Sequence, residues 1–372
     1  MPYHKHTVDA VAVTNTITVG TTPTGVAYDS GKGEMFVSNS GYNTVSVISD
    51  STNAVVATVT VGISPTGLAY DSSKGEIFVA NHGSNSVSVI SDVNNKVVAT
   101  IPVGTSPNNL AYDSGKNEVF VVNSGDNTVS VISDKTNAVV ATITVGTNPN
   151  KVIYDSAKGE LFVCNSGYNT VSVISDSTNA VIETITVGTS PAGAAYDSGK
   201  GEIFVANYGG TTVSVISDGT NAVIATVTVG NVPYGVAYDS GTNEIFVSNH
   251  RDGTVSVISD TNNSVIETLN VGTSPAGIAY NPGKGEIFVT NSVDNTVSMI
   301  VDSSATSPSP STSTSPSPSA VPTATPSPNN STLNITRSFA AGLGSKARKR
   351  SGSSWCICIG NWSYLTHFFC AK

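Results

Sequence analysis

A tyrosine recurs every 42 residues along this chain, at Tyr28, Tyr70, Tyr112, Tyr154, Tyr196, Tyr238 and Tyr280, without one insertion or deletion. Prolines from Pro23 to Pro275 and asparagines from Asn39 to Asn291 keep the same step. A fixed period of this length means equal units, each hiding its apolar surface against its neighbours. The first copy holds four short segments: GVAYDS, EMFVSN, TVSVIS and AVVATVTVG. Each is rich in Val, Ile, Phe, Tyr or Thr, as strands are. The separators DSGKGE, NSGYNT and SDSTNA supply the Gly, Asn, Asp and Ser that tight turns require. Each copy therefore reads as an up-and-down antiparallel sheet.

A sheet with one wet face alternates apolar and polar residues. Here Met35, Phe36 and Val37 run consecutively, as do Val47 and Ile48, and Val55 and Val56. The expectation is burial on both faces, with small residues such as Ala27, Ser46 and Ala57 letting sheets approach. Seven such units make an all-β, seven-bladed propeller of four-stranded antiparallel blades. The seventh copy has strands at 276–281, 286–291 and 296–301 but no fourth. The N-terminal AVAVTNTITVG (10–20) aligns with AVVATVTVG (54–62). That N-terminal strand is expected to close the last blade and to leave the ring without exposed edges. The propeller is assigned to residues 8–302.

The segments EMFVSN, EIFVAN, EVFVVN, NTVSVISD and VGTSPAGIAY resemble the YVTN-type β-propeller repeat of archaeal and bacterial surface-layer-like proteins. The resemblance covers about residues 10–302. It implies the propeller fold and a cell-surface setting, and no single activity.

Charge divides the chain. Residues 1–302 carry 26 acidic and 11 basic side chains, whereas residues 303–372 carry six basic and no acidic ones, for a net −9 overall. An acidic body argues against nucleic acid or anionic lipid as a partner. Cys164 stands alone in the body, and Cys356, Cys358 and Cys370 lie near the end, so no disulfide framework is implied. The start, MPYHKHTVDAVAV, lacks the apolar run of a signal peptide, so an extracellular destination requires a missing or misplaced start.

Residues 303–336 are Ser/Thr/Pro-rich and read as a disordered, extended stalk that reaches up to ~100 Å at ~3.1 Å per residue. Asn329, Asn330 and Asn334 each open an Asn-x-Ser/Thr sequon for N-glycosylation. Residues 337–372 place a basic cluster (Lys346, Arg348, Lys349, Arg350) before WCICIGNWSYLTHFFC, a stretch too short and polar for a membrane span. A frameshift across an original anchor would leave such a tail, and membrane attachment through the C-terminus is one expectation.

No catalytic residue is assigned. There is no His-Glu-x-x-His, no Gly-x-Ser-x-Gly and no phosphate-cradling glycine loop. His82 and His250 hold equivalent positions four blades apart, which argues against a clustered-histidine metal site, and no metal or cofactor is implied. The repeated Asp29/Lys32/Glu34 turn reads as local hydrogen bonds with a solvated ion pair. Cys164 reads as a small buried residue.

The copies differ most in the second-to-third strand connections and the inter-blade loops, on one face. Asn108, Asn109, Asn150, Lys151 and Tyr234 are assigned to the latter. Variation peaks on blades five and six, where Tyr208, Tyr234, His250, Arg251 and Asp252 form the candidate binding patch. The expected function is a non-catalytic cell-surface structural or binding module for a protein or glycan partner. The alternative is a propeller enzyme, such as a lactonase or quinoprotein-like hydrolase or dehydrogenase, using the central channel. Two or three non-repeating charges in the channel favour the enzyme, and a uniform channel favours the binding module.

Overall fold

The computed structural model describes residues 11–302, which form seven four-stranded antiparallel sheets. The stalk, its sequons and the C-terminal tail lie outside the described residues. Blade one consists of β2 (Pro23–Asp29), β3 (Glu34–Asn39), β4 (Thr44–Ser49) and β5 (Ala54–Thr60). Blades two to six repeat this pattern as β6–β25, from Pro65 to Asn270. Blade seven joins β26 (Pro275–Asn281), β27 (Glu286–Asn291) and β28 (Thr296–Asp302) to β1 (Val11–Thr18). Ile17 stands opposite Val297 and Val11 opposite Asp302, so the first strand closes the ring.

The first strand of each blade is innermost and touches the first strand of both neighbouring blades. The core lies between blades. Phe36, Phe78, Phe120, Phe162, Phe204, Phe246 and Phe288 are completely buried, and each inter-blade cluster mixes side chains from two adjacent sheets. Two-sided burial thus holds for the second and third strands.

It fails for the fourth. Val55 and Val56 are 38% and 53% exposed, and the corresponding pairs in blades two to six are similar. The start of the outer strand lies beyond the inter-blade core, so its consecutive apolar residues face solvent at the rim, while Val59, Ile101 and Ile143 farther along stay buried against the next blade. The rim edges are also unpaired, because each sheet ends on its fourth strand. Closure by β1 removes the gap in the ring and leaves those edges. Each of the six internal outer strands carries a bulge at the residue after the first valine: Val56, Val98, Val140, Ile182, Ile224 and Ile266 have no cross-strand partner. A bulge twists an edge away from strand-to-strand pairing.

Turn chemistry follows backbone need. The position at Gly33 lies at φ 68°, and its equivalents are glycine except for Asn117 and Asn243 at φ 59° and 60°. Asparagine is the other residue that tolerates this left-handed region. Asp29 accepts the Gly31 and Lys32 amides at 2.8 and 3.2 Å, as expected for a locally bonded turn. The lysine departs from expectation. Lys32 donates to the main-chain carbonyl of Asp92 on the next blade, and Lys74, Lys116, Lys158, Lys200 and Lys284 do the same around the ring. The turn lysine is therefore an inter-blade clamp, absent only from blade six, which has Thr242 at this position.

The buried asparagines do fix turns. Asn39 donates to Thr44 at 3.1 Å and Ser46 at 2.9 Å, bracketing the second-to-third strand connection. Tyr70 sets its hydroxyl against Asp29 of the preceding blade; burial and that carboxylate push its phenol up to about 12.

Candidate functional site

The channel wall begins with the residues that follow each ring proline. A Cβ on Gly25, Gly193, Gly235 or Gly277 would come within 1.7–2.4 Å of a carbonyl oxygen on the next inner strand. Glycine is therefore a close-approach residue at this position. In three blades a hydroxyl reinforces the approach. Ser248 Oγ accepts from the Gly235 amide (2.7 Å) and donates to the Ala276 carbonyl (2.8 Å). Thr290 Oγ1 likewise links Gly277 to the Thr24 carbonyl at 2.9 and 3.0 Å, and Ser38 links Gly25 to Thr66. Blades seven, one and two are thus pinned to one another, and six to seven.

The opposite arc has no such pins. The hydroxyl position holds Ala80, Val122, Cys164 and Ala206, and the glycine position becomes Asn109 in blade three and Lys151 in blade four. Lys151 stands opposite Cys164 across the first strand pair, and Asn109 opposite Val122. Cys164 is fully buried, its Sγ 4.0 Å from the Gly193 carbonyl oxygen, and burial pushes its thiol up to about 12. Burial pushes the Lys151 ammonium down. The channel encloses a cavity of about 100 Å³, and Lys151 is the one charged residue among the described residues that line it.

This placement corrects the loop assignment. Asn108, Asn109, Asn150, Lys151 and Tyr234 belong to inner strands that start at Pro107, Pro149 and Pro233. Each strand opens with an irregularity that leaves the residue after proline unpaired and turned out of the ladder.

At Tyr234 that irregularity builds the mouth of the channel. Tyr234 meets Tyr208 edge to face, with centroids 5.8 Å apart and planes at 73°. His250 lies 6.1 Å from Tyr234 and 6.5 Å from Tyr208. Tyr208 and His250 occupy the position where Ser40, Ser124, Ser166 and Ser292 bond back to the preceding loop carbonyl. His250 Nδ1 instead lies 3.0 Å from the Pro275 carbonyl oxygen, so this nitrogen is the donor. Tyr208 is 40% exposed, while Tyr234 is partly covered and burial pushes its phenol up. A cleft of about 400 Å³ runs from this pair over Asn148, Asn150, Ser166 and Ser190.

The other two patch residues have different surroundings. Arg251 is exposed on the same connection. Asp252 accepts from the Asn231 amide at 2.7 Å and from its side chain, and these bonds hold its carboxyl below the usual range. Asp126 and Asp294 accept the same amide in other blades, so Asp252 braces a loop. His82 lies in blade two, away from His250 in blade six. Among the described residues no group of three or more His, Cys, Asp or Glu is placed to hold a metal ion.

These features define a closed seven-bladed β-propeller with a narrow channel and an aromatic cleft at one end of it. No protein-family model and no curated protein matches the chain. Among solved structures it is similar to a chain of Kuenenia stuttgartiensis hydrazine synthase, with a TM-score of 0.68 and 17% identity, covering 81% of this chain and 99% of that one. At that identity the likeness concerns the fold alone.

Proposed function

We propose that this propeller is a non-catalytic binding module of the cell surface that takes a glycan in the cleft at the channel mouth. The observation that carries the reading is the convergence of Tyr208, Tyr234 and His250 within 6.5 Å, beside a row of amides and hydroxyls. Aromatic rings cover the C–H faces of a sugar, and Asn148, Asn150, Ser166 and Ser190 offer donors and acceptors for its hydroxyls. An acidic body suits a neutral sugar better than a polyanion. The resemblance to YVTN-type repeats and the Ser/Thr/Pro-rich sequence after the propeller support a surface setting.

The test is a glycan array probed with the wild type and with Tyr208→Ala and Tyr234→Ala. Retention of one sugar class by the wild type, weakened at least tenfold in both variants, is expected. Binding that survives both substitutions refutes the site, and a wild type that retains only protein ligands refutes the glycan. Recovery of the protein in the cytosol on cell fractionation refutes the surface setting.

One observation favours the enzyme reading: Lys151 breaks the symmetry of the channel. A single charge supplies no acid–base pair. Turnover of a lactone or alcohol by the wild type and not by Lys151→Met would replace the binding module with an enzyme.

A further inference from the structure

Charge is distributed unevenly between the two faces of the ring. Residues 11–302 carry nine lysines and one arginine. Six of the lysines are the inter-blade clamps, and Lys96 and Lys135 stand at third-to-fourth strand turns. All eight lie on the face away from the aromatic cleft. Most of the acid lies there too, at the turns that hold Asp29, Glu34, Asp50 and their equivalents. The mouth face keeps two cations, Lys151 and Arg251. Its loop acids Asp126, Asp252 and Asp294 each accept a loop amide. The acidity of the body thus belongs chiefly to the opposite face. A polyanion is still disfavoured, but a single negative charge can approach the mouth.

Lys151 meets the cleft through shared walls. Asn150, Ala192 and Tyr234 line both the channel cavity and the cleft, so the two spaces adjoin. Lys151 lines the cavity and is partly exposed. Among the described residues its ammonium makes no hydrogen bond and no ion pair, whereas each clamp lysine holds a carbonyl of another blade. Lys151 therefore has no structural contact to give up when a ligand arrives. Nor does the ring require a lysine here, since five blades have glycine at this position. Arg251 lines neither space, and no other charged residue does. One uncommitted cation beside the sugar-sized cleft is placed to read the charge of whatever fills it.

We propose that the glycan taken by the cleft ends in a sugar bearing one negative charge, a carboxylate or a sulfate ester, which seats on Lys151 at the channel side of Tyr234. The inference rests on the glycan reading above and names the substrate class of that site. Tyr208 and Tyr234 cover the ring, the amides and hydroxyls of the cleft take its neutral neighbours, and Lys151 selects the terminal unit. Aromatic and amide contacts hold neutral and charged sugars alike, so discrimination between them falls to this one side chain.

The experiment uses the full chain and an array of glycans matched in all but the terminal unit, which is a neutral hexose, the corresponding hexuronic acid or the hexose 6-sulfate. The wild type should bind one of the two charged members about tenfold or more tighter than the neutral one, as one charge-assisted hydrogen bond implies. Which member is preferred tells carboxylate from sulfate. The preference should shrink as salt is raised. Lys151→Met should bring the charged members to the level of the neutral one, and Lys151→Arg should keep a preference for charge. Lys151→Gly restores the residue of five other blades and so repeats the test in a ring of the usual pattern. Equal binding of all three members, weakened by Tyr208→Ala and Tyr234→Ala, would leave the glycan reading standing and overturn this one. A preference for charge that survives Lys151→Met and Lys151→Gly, or that is lost instead in Arg251→Ala, overturns it as well. Absence of sugar binding by the wild type would remove both readings together.

Discussion

Ile17 and Ile143 are the same residue at the same place in two outer strands, and comparing them isolates the closure of the ring. Ile17 is 6% exposed and packs with Met35, Val37, Phe288, Val297 and Met299. Ile143 is 5% exposed and packs with Phe120, Val129, Val131 and Leu161. Truncation to alanine removes about 2–5 kcal/mol at either site. The strands are tethered differently. A tight turn joins β12 (Thr128–Ser133) to β13 (Ala138–Thr144), whereas no turn joins β28 to β1. Strand β1 can leave without unfolding its blade, and only Val11 and Ile17 anchor it as buried side chains. Ile17→Ala should therefore raise local opening by ~30-fold to several-thousand-fold, at 1.4 kcal/mol per decade. Native-state hydrogen exchange reads this directly: protection should collapse across residues 296–302 while blade three keeps its own. Ile143→Ala should lower the global midpoint and spare 296–302. If the two variants lose protection in the same pattern, closure is not a separable event and the reasoning fails.

Three further outcomes are expected. Thr242→Lys supplies the missing inter-blade clamp and should add a few tenths to about 1 kcal/mol, raising Tm by about 1–3 °C; no change in a thermal melt would show that the clamps are ornamental. Gly193→Ala drives a Cβ to within 1.7 Å of the Tyr234 carbonyl oxygen and should cost about 1–3 kcal/mol or more in denaturant. Gly210→Ala, with 3.9 Å to its nearest atom, should stay within about 0.5 kcal/mol. Burial, as the largest cause, raises Glu34, Glu76, Glu118, Glu160, Glu202 and Glu286 above the usual carboxylate range. A raised folded-state value means the native state binds more protons in the window above the unfolded value, so Tm should rise as pH falls from 7 toward ~4.3. The same sign at high pH makes stability fall between ~10 and about 12, as the unfolded state loses phenolic protons that Tyr70, Tyr112 and Tyr280 retain.

The fold was legible because a strict period and a missing fourth strand leave one arrangement of seven sheets. The rim was misread because periodicity inside one strand says nothing about its place in the blade. Val47–Ile48 and Val55–Val56 look alike in sequence, yet the first pair is buried and the second faces solvent. Part of the candidate site was also legible, since Tyr208 and His250 replace the serine of four other blades. Tyr234 was placed in the same patch but on the wrong element. A proline opens its strand, and proline reads as loop because it cannot donate to the ladder. The same misreading hid Lys151 and Asn109. A signal for them did exist: the copies that lose glycine at this position carry Val122 or Cys164 where glycine-bearing copies have Ala, Ser or Thr. The paired change marks two positions that face each other across the first strand pair.

That pairing bears on whether the differences between blades are drift. The exposed rim stays valine or isoleucine in every internal copy, from Val55–Val56 to Val265–Ile266, whereas exposed turn positions vary freely, as at Ser51, Val93, Lys135, Ser177, Gly219 and Thr261. The opposite face keeps its Asp-x-x-Lys-x-Glu turn in five copies and nearly so in the others. Non-repeating side chains also gather at the channel and its mouth on blades three to six, where packing is tight and a Cβ meets backbone. Substitution is least tolerated at such positions, so an enlarged residue there needs an accommodating neighbour, as Lys151 has in Cys164. Drift accounts for change at the exposed turns, but change at positions where it is costly is what selection on the channel would leave. Replacing Asn109 and Lys151 together with glycine tests this in a thermal melt: the double variant should equal or exceed the wild type in Tm. A marked loss of stability would show that these two residues hold the ring together and owe their place to packing.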